Sequence, residues 1–268
     1  MPLFADTITA VFAIVLAFIF GTVLASFITC TAGRILAGMD WVNEHSHCDS
    51  CGHQLGALDL FPVFSYLLLG GKCRYCGAKV PIRCLISEIL LGCVFVLVLL
   101  LHGSIDVVLA RNLMLAMLMM GISFCEIDGE VIHEGFITAM LVVWIGTLPF
   151  VPDLKNYILD GVIACFLICG FFIVISYLRT SKGKEGFKPG FIKIMAVYLL
   201  YTGLIAGVGF LAVAFILHTV VKPFKKTIVP VMSVCCLIFL CCMTDRMDPA
   251  IIRGYITAIA DYIRVFSI

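Results

Sequence analysis

Long apolar stretches separated by short polar segments dominate the pattern of this chain. Runs near the roughly 20 residues that a helix needs to span a bilayer fall at 8–32, 85–101, 107–125, 136–152, 158–178, 194–221, 228–243 and 249–266. The run at 194–221 contains Gly203, Gly207 and Gly209, so it predicts two short tilted helices or one broken helix. The last run is amphipathic and could lie at the interface instead of spanning. The pattern predicts an all-α polytopic membrane protein with about seven or eight transmembrane helices.

Composition supports a membrane protein. The chain is 62% apolar and 13% charged, against the roughly half apolar content of a soluble domain. A net charge of +1 provides no field that would select nucleic acid, whereas membrane lipid is an obligatory partner. The first run is uncharged, too long for the apolar core of a signal peptide and without basic residues before it. We therefore interpret it as a retained span.

The polar pattern divides the chain into three parts. Residues 1–33 are predicted to form the first transmembrane helix, residues 34–84 a soluble insert, and residues 85–268 the remaining helical bundle. Lysine and arginine concentrate in the insert, in the loop after residue 178 and at 222–226. The positive-inside rule places these segments in the cytoplasm if the N-terminus lies outside and 194–221 crosses the membrane twice.

The insert contains two cysteine pairs, Cys48-x-x-Cys51 and Cys73-x-x-Cys76, each followed by a glycine that permits a tight turn. Four thiolates at this spacing favour a structural Zn²⁺ with no open coordination position. A redox dithiol is the alternative, and a nearby histidine could replace one ligand. The neighbouring histidines are His45, His47 and His53. The ten other cysteines lie in apolar runs and are expected to be small buried hydrophobes.

Several short segments follow one another in a specific order between residues 21 and 230. They are Ala25-Ser26-Phe27, the octapeptide LFPVFSYL at 60–67, the heptapeptide GKCRYCG at 71–77 and the hexapeptide RCLISE at 83–88. Two further positions are Asp128, which closes an apolar run, and Phe191 within Gly190-Phe191-Ile192-Lys193, which opens another. Each segment alone is a weak signal. Their order resembles the type IV prepilin peptidase family, a group of intramembrane aspartic proteases.

The resemblance implies a catalytic pair of aspartates, one at Asp128 and one in a Gly-x-Gly-Asp-x-Lys motif whose aspartate position is Phe191. In such a pair one ionised carboxylate activates water and the other, protonated, donates to the substrate carbonyl. A phenyl ring at 191 removes one of the two acids. Phe191 is thus an engineered inactivating substitution, a natural loss in a noncatalytic homologue, or a sign that the alignment is shifted. Gly190 and Lys193 match the motif and argue against a shift.

Other acidic residues are weaker candidates for a role in catalysis. In a helix Glu126 points away from Asp128, and Glu130, Glu134 and Glu185 are expected to be solvated loop residues. Glu88 lies within a span, where we expect a polar contact inside the bundle, with substrate or methyl-donor binding as the alternative.

The family cleaves the basic leader of type IV prepilins and type II secretion pseudopilins, and members with the cysteine insert N-methylate the new terminus using S-adenosylmethionine. By resemblance, the chain is expected in the bacterial inner membrane with a cytoplasmic zinc insert, impaired in cleavage by Phe191. Acidic residues near Asp128 could attract the basic leader. The alternatives are a noncatalytic pilin-binding or assembly protein and a methyltransferase whose protease half is inactive.

Overall fold

The fold is described here from a computed structural model, which covers residues 7–40, 45–129, 133–151, 153–183 and 189–220. Its helices are α1 (Thr7–Leu36), α2 (Phe64–Leu68), α3 (Ile82–His102), α4 (Val107–Gly129), α5 (Glu134–Thr147), α6 (Leu154–Ala164), α7 (Gly170–Thr180) and α8 (Pro189–Val220). A π-type turn at Cys165–Cys169 joins α6 and α7 into one rod. The described residues contain no β-strand, only two isolated bridges in the insert. The predicted helical class is therefore confirmed.

Four of the described helices are long and apolar enough to cross a membrane. They are Ile8–Leu36, Ile82–His102, Val107–Glu126 and Leu154–Thr180. The predicted number of seven or eight spans is not confirmed. The α5 helix has only 14 residues, about 21 Å at 1.5 Å per residue, and α8 is broken. The predicted runs at 228–243 and 249–266 lie outside the described residues.

The helices α1 and α3 pack antiparallel with almost no space between their backbones. A Cβ atom added to Gly21 would lie 2.8 Å from the carbonyl oxygen of Leu91 and 2.9 Å from the Cα atom of Gly92. A Cβ added to Gly92 would in turn meet Phe18 and Thr22 at 2.9 Å. Small residues allow this close approach, which supplies van der Waals contact in a bilayer where apolar burial gives little drive.

The α4 helix is the most enclosed of the four candidate spans. Its inward side chains include Leu115, Met119, Ile122 and Cys125, all at most 1% exposed. It contacts α1, α3 and α5, and it lies so close to α5 that a Cβ at Gly121 would collide with Phe136. The α4 helix is thus packed against three other helices over its described length.

Polar side chains tie α4, α5, α6 and α8 together inside the bundle. Arg111 is 7% exposed, donates from Nη1 to the Tyr157 hydroxyl at 3.3 Å and stacks against Tyr157 and Tyr201. The Tyr157 hydroxyl donates to the Tyr201 carbonyl at 3.1 Å, and the Tyr201 hydroxyl to the Met140 carbonyl at 2.6 Å. Hydrocarbon offers these groups no water, so they find partners within the protein.

The α8 helix breaks at Gly203, where φ is 74° and ψ is −169°. The Leu204 N–H after the break donates to the Asp160 carboxylate of α6 at 3.4 Å. A Cβ on Gly207 would collide with the Leu199 side chain and lie 3.4 Å from Ile168. In a straight helix, residues eight apart are separated by about 12 Å along the axis. The chain therefore bends sharply at Gly203, which confirms the broken helix predicted for 194–221.

Candidate functional site

The insert contains two turns of the same design. The Cys48 N–H bonds the His53 carbonyl at 3.0 Å, and the Gly52 N–H returns to the Cys48 carbonyl at 2.8 Å. The second turn repeats this pattern with Cys73, Ala78 and Gly77 at 2.8 and 2.9 Å. Gly52 and Gly77 have φ of 70° and 72°, a backbone region that glycine occupies without steric cost. Each Cys-x-x-Cys pair thus lies on a tight turn that directs its sulfurs to a common point.

The four sulfurs converge as the spacing predicts. The Sγ atoms of Cys48, Cys51, Cys73 and Cys76 all lie within 4.8 Å of one another, and those of Cys48 and Cys76 are 3.8 Å apart. A tetrahedral zinc site with Zn–S bonds of about 2.3 Å has edges of about 3.8 Å. The cluster therefore fits a four-coordinate Zn²⁺, and all four positions would be filled by cysteine.

Local hydrogen bonds distribute charge among the thiols. The backbone N–H groups of Cys51 and Ser50 lower the pKa of Cys48 to about 7. The Ala78 N–H acts to lower the pKa of Cys76, but desolvation and hydrogen bonds from the neighbouring sulfurs outweigh it and raise that pKa to about 11. These local contacts thus act in opposite directions on Cys48 and Cys76. A bound cation would stabilise the thiolate form of its ligands.

None of the three neighbouring histidines belongs to this cluster of possible ligands. The His53 ring stacks on Tyr75 with ring centroids 3.6 Å apart, and the His47 ring contacts the backbone carbonyl of His45 at 3.1 Å. The geometry thus favours the all-cysteine set over a histidine replacement.

Asp59 connects the second turn to the chain that lies between the two cysteine pairs. Its carboxylate pairs with Arg74 Nε at 2.8 Å and accepts from the Tyr75 hydroxyl and the Gly56 N–H, each at 3.1 Å. Burial alone would raise the pKa of Asp59, but these donors together hold it below its usual range. Asp59 therefore fixes the second turn against residues 56–59. Sequence reasoning did not identify this role, because the partners are 15 and 16 residues away.

The predicted catalytic positions lie on helix ends that meet at one end of the bundle. Asp128 is in the last turn of α4, although its side chain lies outside the described part of the chain. Only four residues separate the end of α4 at Gly129 from Glu134, the first residue of α5. The Glu134 carboxylate pairs with Lys193 Nζ of α8 at 2.6 Å. Because Lys193 is two residues after Phe191, the backbones of positions 128 and 191 are brought to the same end of the bundle.

Phe191 is buried rather than exposed to lipid or water. It is 8% exposed, belongs to the main apolar cluster and packs edge-on against Phe172 of α7, with ring centroids 5.9 Å apart. Lys193, in the same turn, has a half-exposed side chain that reaches the bundle surface. Position 191 therefore faces the interior of the bundle.

Two expectations for the other acids need correction. Glu134 is not in a loop, because it is the first residue of α5, but its side chain is solvated as expected, at 65% exposed, and pairs with Lys193. Glu126 is only 9% exposed inside the bundle, so it is not available to attract a basic leader from solution. Glu130 and Glu185 lie outside the described residues.

The predicted internal contact of Glu88 is present. Its Oε2 atom accepts a hydrogen bond from the Val63 N–H of the insert at 2.7 Å, and Glu88 is 9% exposed. The partner was not predictable, because Val63 lies 25 residues upstream in a segment without charge of its own.

The first part of the chain matches a family model described as "Bacterial Peptidase A24 N-terminal domain" over residues 19–102. That range covers most of α1, the whole insert and α3. No solved structure matches the chain.

Relatives named "Prepilin leader peptidase/N-methyltransferase" match more of the chain. The Neisseria gonorrhoeae protein is 26% identical over 227 residues, covering 73% of this chain and 76% of the relative. The Dichelobacter nodosus protein is 26% identical over 159 residues, which is 59% of this chain and about half (54%) of that protein. The Bacillus subtilis protein is 32% identical over 78 residues, 29% of this chain and 32% of the relative. These matches confirm the predicted resemblance: the chain is similar to proteins named prepilin leader peptidase/N-methyltransferase.

Proposed function

We propose that this chain has the scaffold of a prepilin peptidase in which Phe191 impairs the cleavage step. Its substrates would be type IV prepilins or type II secretion pseudopilins, cut on the cytoplasmic side of the bacterial inner membrane. The name shared by the relatives, prepilin leader peptidase/N-methyltransferase, supports this substrate class and a second, methyl-transferring activity.

The observation that carries the proposal is the inward position of residue 191 at the end of the bundle where α4 terminates. Phe191 is 8% exposed, and the Lys193–Glu134 contact shows that the first turn of α8 lies beside the first turn of α5. A carboxylate at 191 would extend into the interior near the helix end that carries Asp128, where two acids could share a proton. A phenyl ring there carries no proton and binds no water.

The distribution of lysine and arginine supports an orientation with the insert and the loop after α7 in the cytoplasm. The lysines and arginines of the insert and of the loop after α7 favour the cytoplasm. The bend at Gly203 brings Gly207 back toward Leu199, which fits the requirement that 194–221 enter and leave the membrane on one side. A pilin whose helix lies in the bilayer and whose basic leader remains in the cytoplasm would then meet Asp128 at the membrane face.

The insert has a structural role in this proposal. Cys48, Cys51, Cys73 and Cys76 would hold one Zn²⁺, which would order the insert and leave no position for water or substrate. S-adenosylmethionine would supply the methyl group. The sequence contains no recognisable nucleotide-binding loop, so no residue is assigned to that donor.

The burial of Phe191 also favours a second candidate function. A phenyl ring packed into the apolar cluster is compatible with a protein that binds pilins without cutting them, or that only methylates them. Both candidates keep the scaffold and lose the acid pair, so they differ from the first proposal in whether cleavage can be restored.

Restoring the acid is the decisive experiment. The unaltered chain should cut a prepilin substrate little or not at all, and Phe191→Asp should raise leader cleavage by roughly 10²–10⁴-fold, the usual contribution of general acid–base assistance. Adding Asp128→Asn should abolish the gain. The measurement is a gel shift of prepilin incubated with the purified chain in detergent.

Phe191→Asn is the matched control, since it makes the same cavity without an acid and should stay inactive. If Phe191→Asp is folded but no more active than Phe191→Asn, the noncatalytic alternatives are favoured. Robust cleavage by the unaltered chain would show that residue 191 is not the position of the second acid, and Glu185 or Glu134 would be tested next.

A further inference from the structure

We call the two turns that carry Cys48-x-x-Cys51 and Cys73-x-x-Cys76 the zinc turns. Another part of the insert lies against the membrane helices. We call residues 58–68, which include α2, the re-entrant segment. Asp59, its one charged residue, pairs with Arg74 beside the cysteine cluster. The remainder reads Leu-Phe-Pro-Val-Phe-Ser-Tyr-Leu-Leu, with no lysine, arginine or acid. The end of the segment that carries Asp59 thus lies at the zinc turns, whereas its apolar residues lie against α1 and α3.

The contact with Glu88 fixes the depth that the segment reaches. The Val63 N–H donates to Glu88 Oε2 at 2.7 Å, and Glu88 lies six residues inside the candidate span Ile82–His102. At 1.5 Å per residue, this contact is about 9 Å along α3 from its first residue. Val63 is therefore level with residues that belong to the membrane-spanning part of α3.

A contact with α1 independently places the segment inside the helix ends. A small apolar cleft has Phe18, Ile19, Thr22 and Val23 of α1 on one wall and residues Phe61 to Phe64 on the other. These α1 residues lie near the middle of the candidate span Ile8–Leu36. The tip of the segment therefore reaches beyond the helix ends on both of its neighbours.

The backbone reverses at the deepest point. Val63 has φ of 62° and ψ of −52°, and the Phe64 N–H bonds the Pro62 carbonyl at 2.6 Å across it. This is a γ-turn of the rare, strained form, and a β-branched residue is unfavourable in it. The Glu88 carboxylate accepts the N–H of the strained residue itself. A strained reversal tied to a buried carboxylate is a built feature of the fold, and it returns the chain through α2 toward the zinc turns.

The outer face of the segment is apolar and uncovered by the described protein. Phe61 and Phe64 are 49% and 59% exposed, and Leu67 and Leu68 are 64% and 84% exposed. This face is continuous with exposed apolar side chains of the spans beside it, such as Ile19 of α1. Phe61 and Phe64 flank Val63, and side chains at that depth beside a span meet acyl chains. Leu67 and Leu68 follow within about 8 Å along α2, so hydrocarbon can cover the whole apolar face.

We propose that the re-entrant segment is inserted in the lipid leaflet on the insert's side of the membrane, where its aromatic and leucine side chains contact acyl chains. The zinc insert is then not a loop that hangs free in the cytoplasm. It is anchored at both helix ends and also through its own middle. The backbone N–H groups at its tip are bonded to protein acceptors, the Val63 N–H to Glu88 and the Phe64 N–H to the Pro62 carbonyl. Irregular backbone at membrane depth requires such partners.

Photocrosslinking tests the proposal without depending on enzymatic activity. The full chain would carry p-benzoylphenylalanine in place of Leu68, in vesicles of phosphatidylethanolamine and phosphatidylglycerol, and mass spectrometry would identify the adducts. Phe12 of α1, which is 64% exposed in a candidate span, gives the positive control, and exposed Lys79 of the second zinc turn the negative one. Because Leu68 is 84% exposed, the replacement should not disturb packing, and Leu67 provides a second site.

Lipid adducts at Leu68 in a yield comparable with that at Phe12, and well above that at Lys79, are the expected result. A yield no higher than at Lys79 would show that the segment faces water and would overturn the proposal. Crosslinks mainly to a second copy of the chain would overturn it as well, since protein and not lipid would then cover the face. None of these outcomes depends on whether the chain cleaves prepilin.

Discussion

The zinc turns and the start of α8 are the two places where the sequence predicts chemistry, and they differ in what holds them together. In the insert, the predicted metal ligands would also hold the fold together. Their four sulfurs lie within 4.8 Å of one another, where a bound metal would join the two turns. At the start of α8 the structure stands without the reactive group. Phe191 packs on Phe172, and Lys193 still pairs with Glu134. Removing a ligand should therefore unfold the first region, whereas the second region keeps its packing with phenylalanine at the predicted acid position.

Removing one zinc ligand is expected to have the largest effect. Cys73→Ser should lower bound zinc from about one equivalent to near zero and expose the insert to protease, because metal binding by such sites contributes roughly 10 kcal/mol or more to folding. Elemental analysis and limited proteolysis provide the measurements. Cys93→Ser, an exposed cysteine of α3 outside the cluster, is the control and should change neither. Full zinc retention when all four ligands are serine would rule out the site.

The insert shows how much a local pattern can predict. The Cys-x-x-Cys spacing and the following glycines define each turn over four or five residues, so both turns and the ligand set could be derived from the sequence. The position of the insert could not. It depends on the Val63 N–H meeting the Glu88 carboxylate, and the arrangement within the insert depends on Asp59 meeting Arg74. These contacts span 25 and 15 residues, and no local motif links the partners.

Replacing the glycine at the bend in α8 should have an intermediate effect on the free energy of unfolding. Gly203→Ala places a side chain at φ of 74° and ψ of −169°, a region essentially restricted to glycine, with a strain of about 1–3 kcal/mol, and brings it against the Asp160 carboxylate. We expect a loss of roughly 2 kcal/mol or more in the free energy of unfolding, measured by denaturation in detergent. If this loss also abolished the activity gained by Phe191→Asp, the two halves of α8 would be shown to act as one unit.

Gly146→Ala in α5 is the matched control for the bend. A Cβ there meets no atom within 4 Å, so the change should be neutral or stabilising by less than about 1 kcal/mol. Equal losses at both glycines would mean that Gly203 has no special role.

The α8 region shows what a local pattern cannot predict. Three glycines in one apolar run were sufficient to predict a break, but not which of them forms it. That choice depends on Asp160, 43 residues upstream on α6, which accepts the first N–H after the break. Arg111 was likewise not predicted, since its partners Tyr157 and Tyr201 lie on helices whose pairing no local pattern indicates.

The smallest effect is expected from the exposed pair beside Phe191. Lys193 and Glu134 side chains are 53% and 65% exposed, so a double-mutant cycle with Lys193→Met and Glu134→Gln should give less than about 1 kcal/mol, falling further at high salt. Thermal unfolding at two salt concentrations provides the comparison. A coupling above about 2 kcal/mol would indicate that this pair, and not the packing of Phe191, holds the first turn of α8.

The contact between Gly21 and Gly92 also constrains how this chain can evolve. Neither residue carries a reactive group, yet any side chain larger than hydrogen at either position meets backbone or side-chain atoms at 2.8–3.0 Å. A saturation mutagenesis scored by protein abundance should therefore show two narrow sites of intolerance in α1 and α3, far from cysteines and acids alike. Selection at these positions would act on the distance between two helices, and lineages that lost cleavage altogether would still retain both glycines.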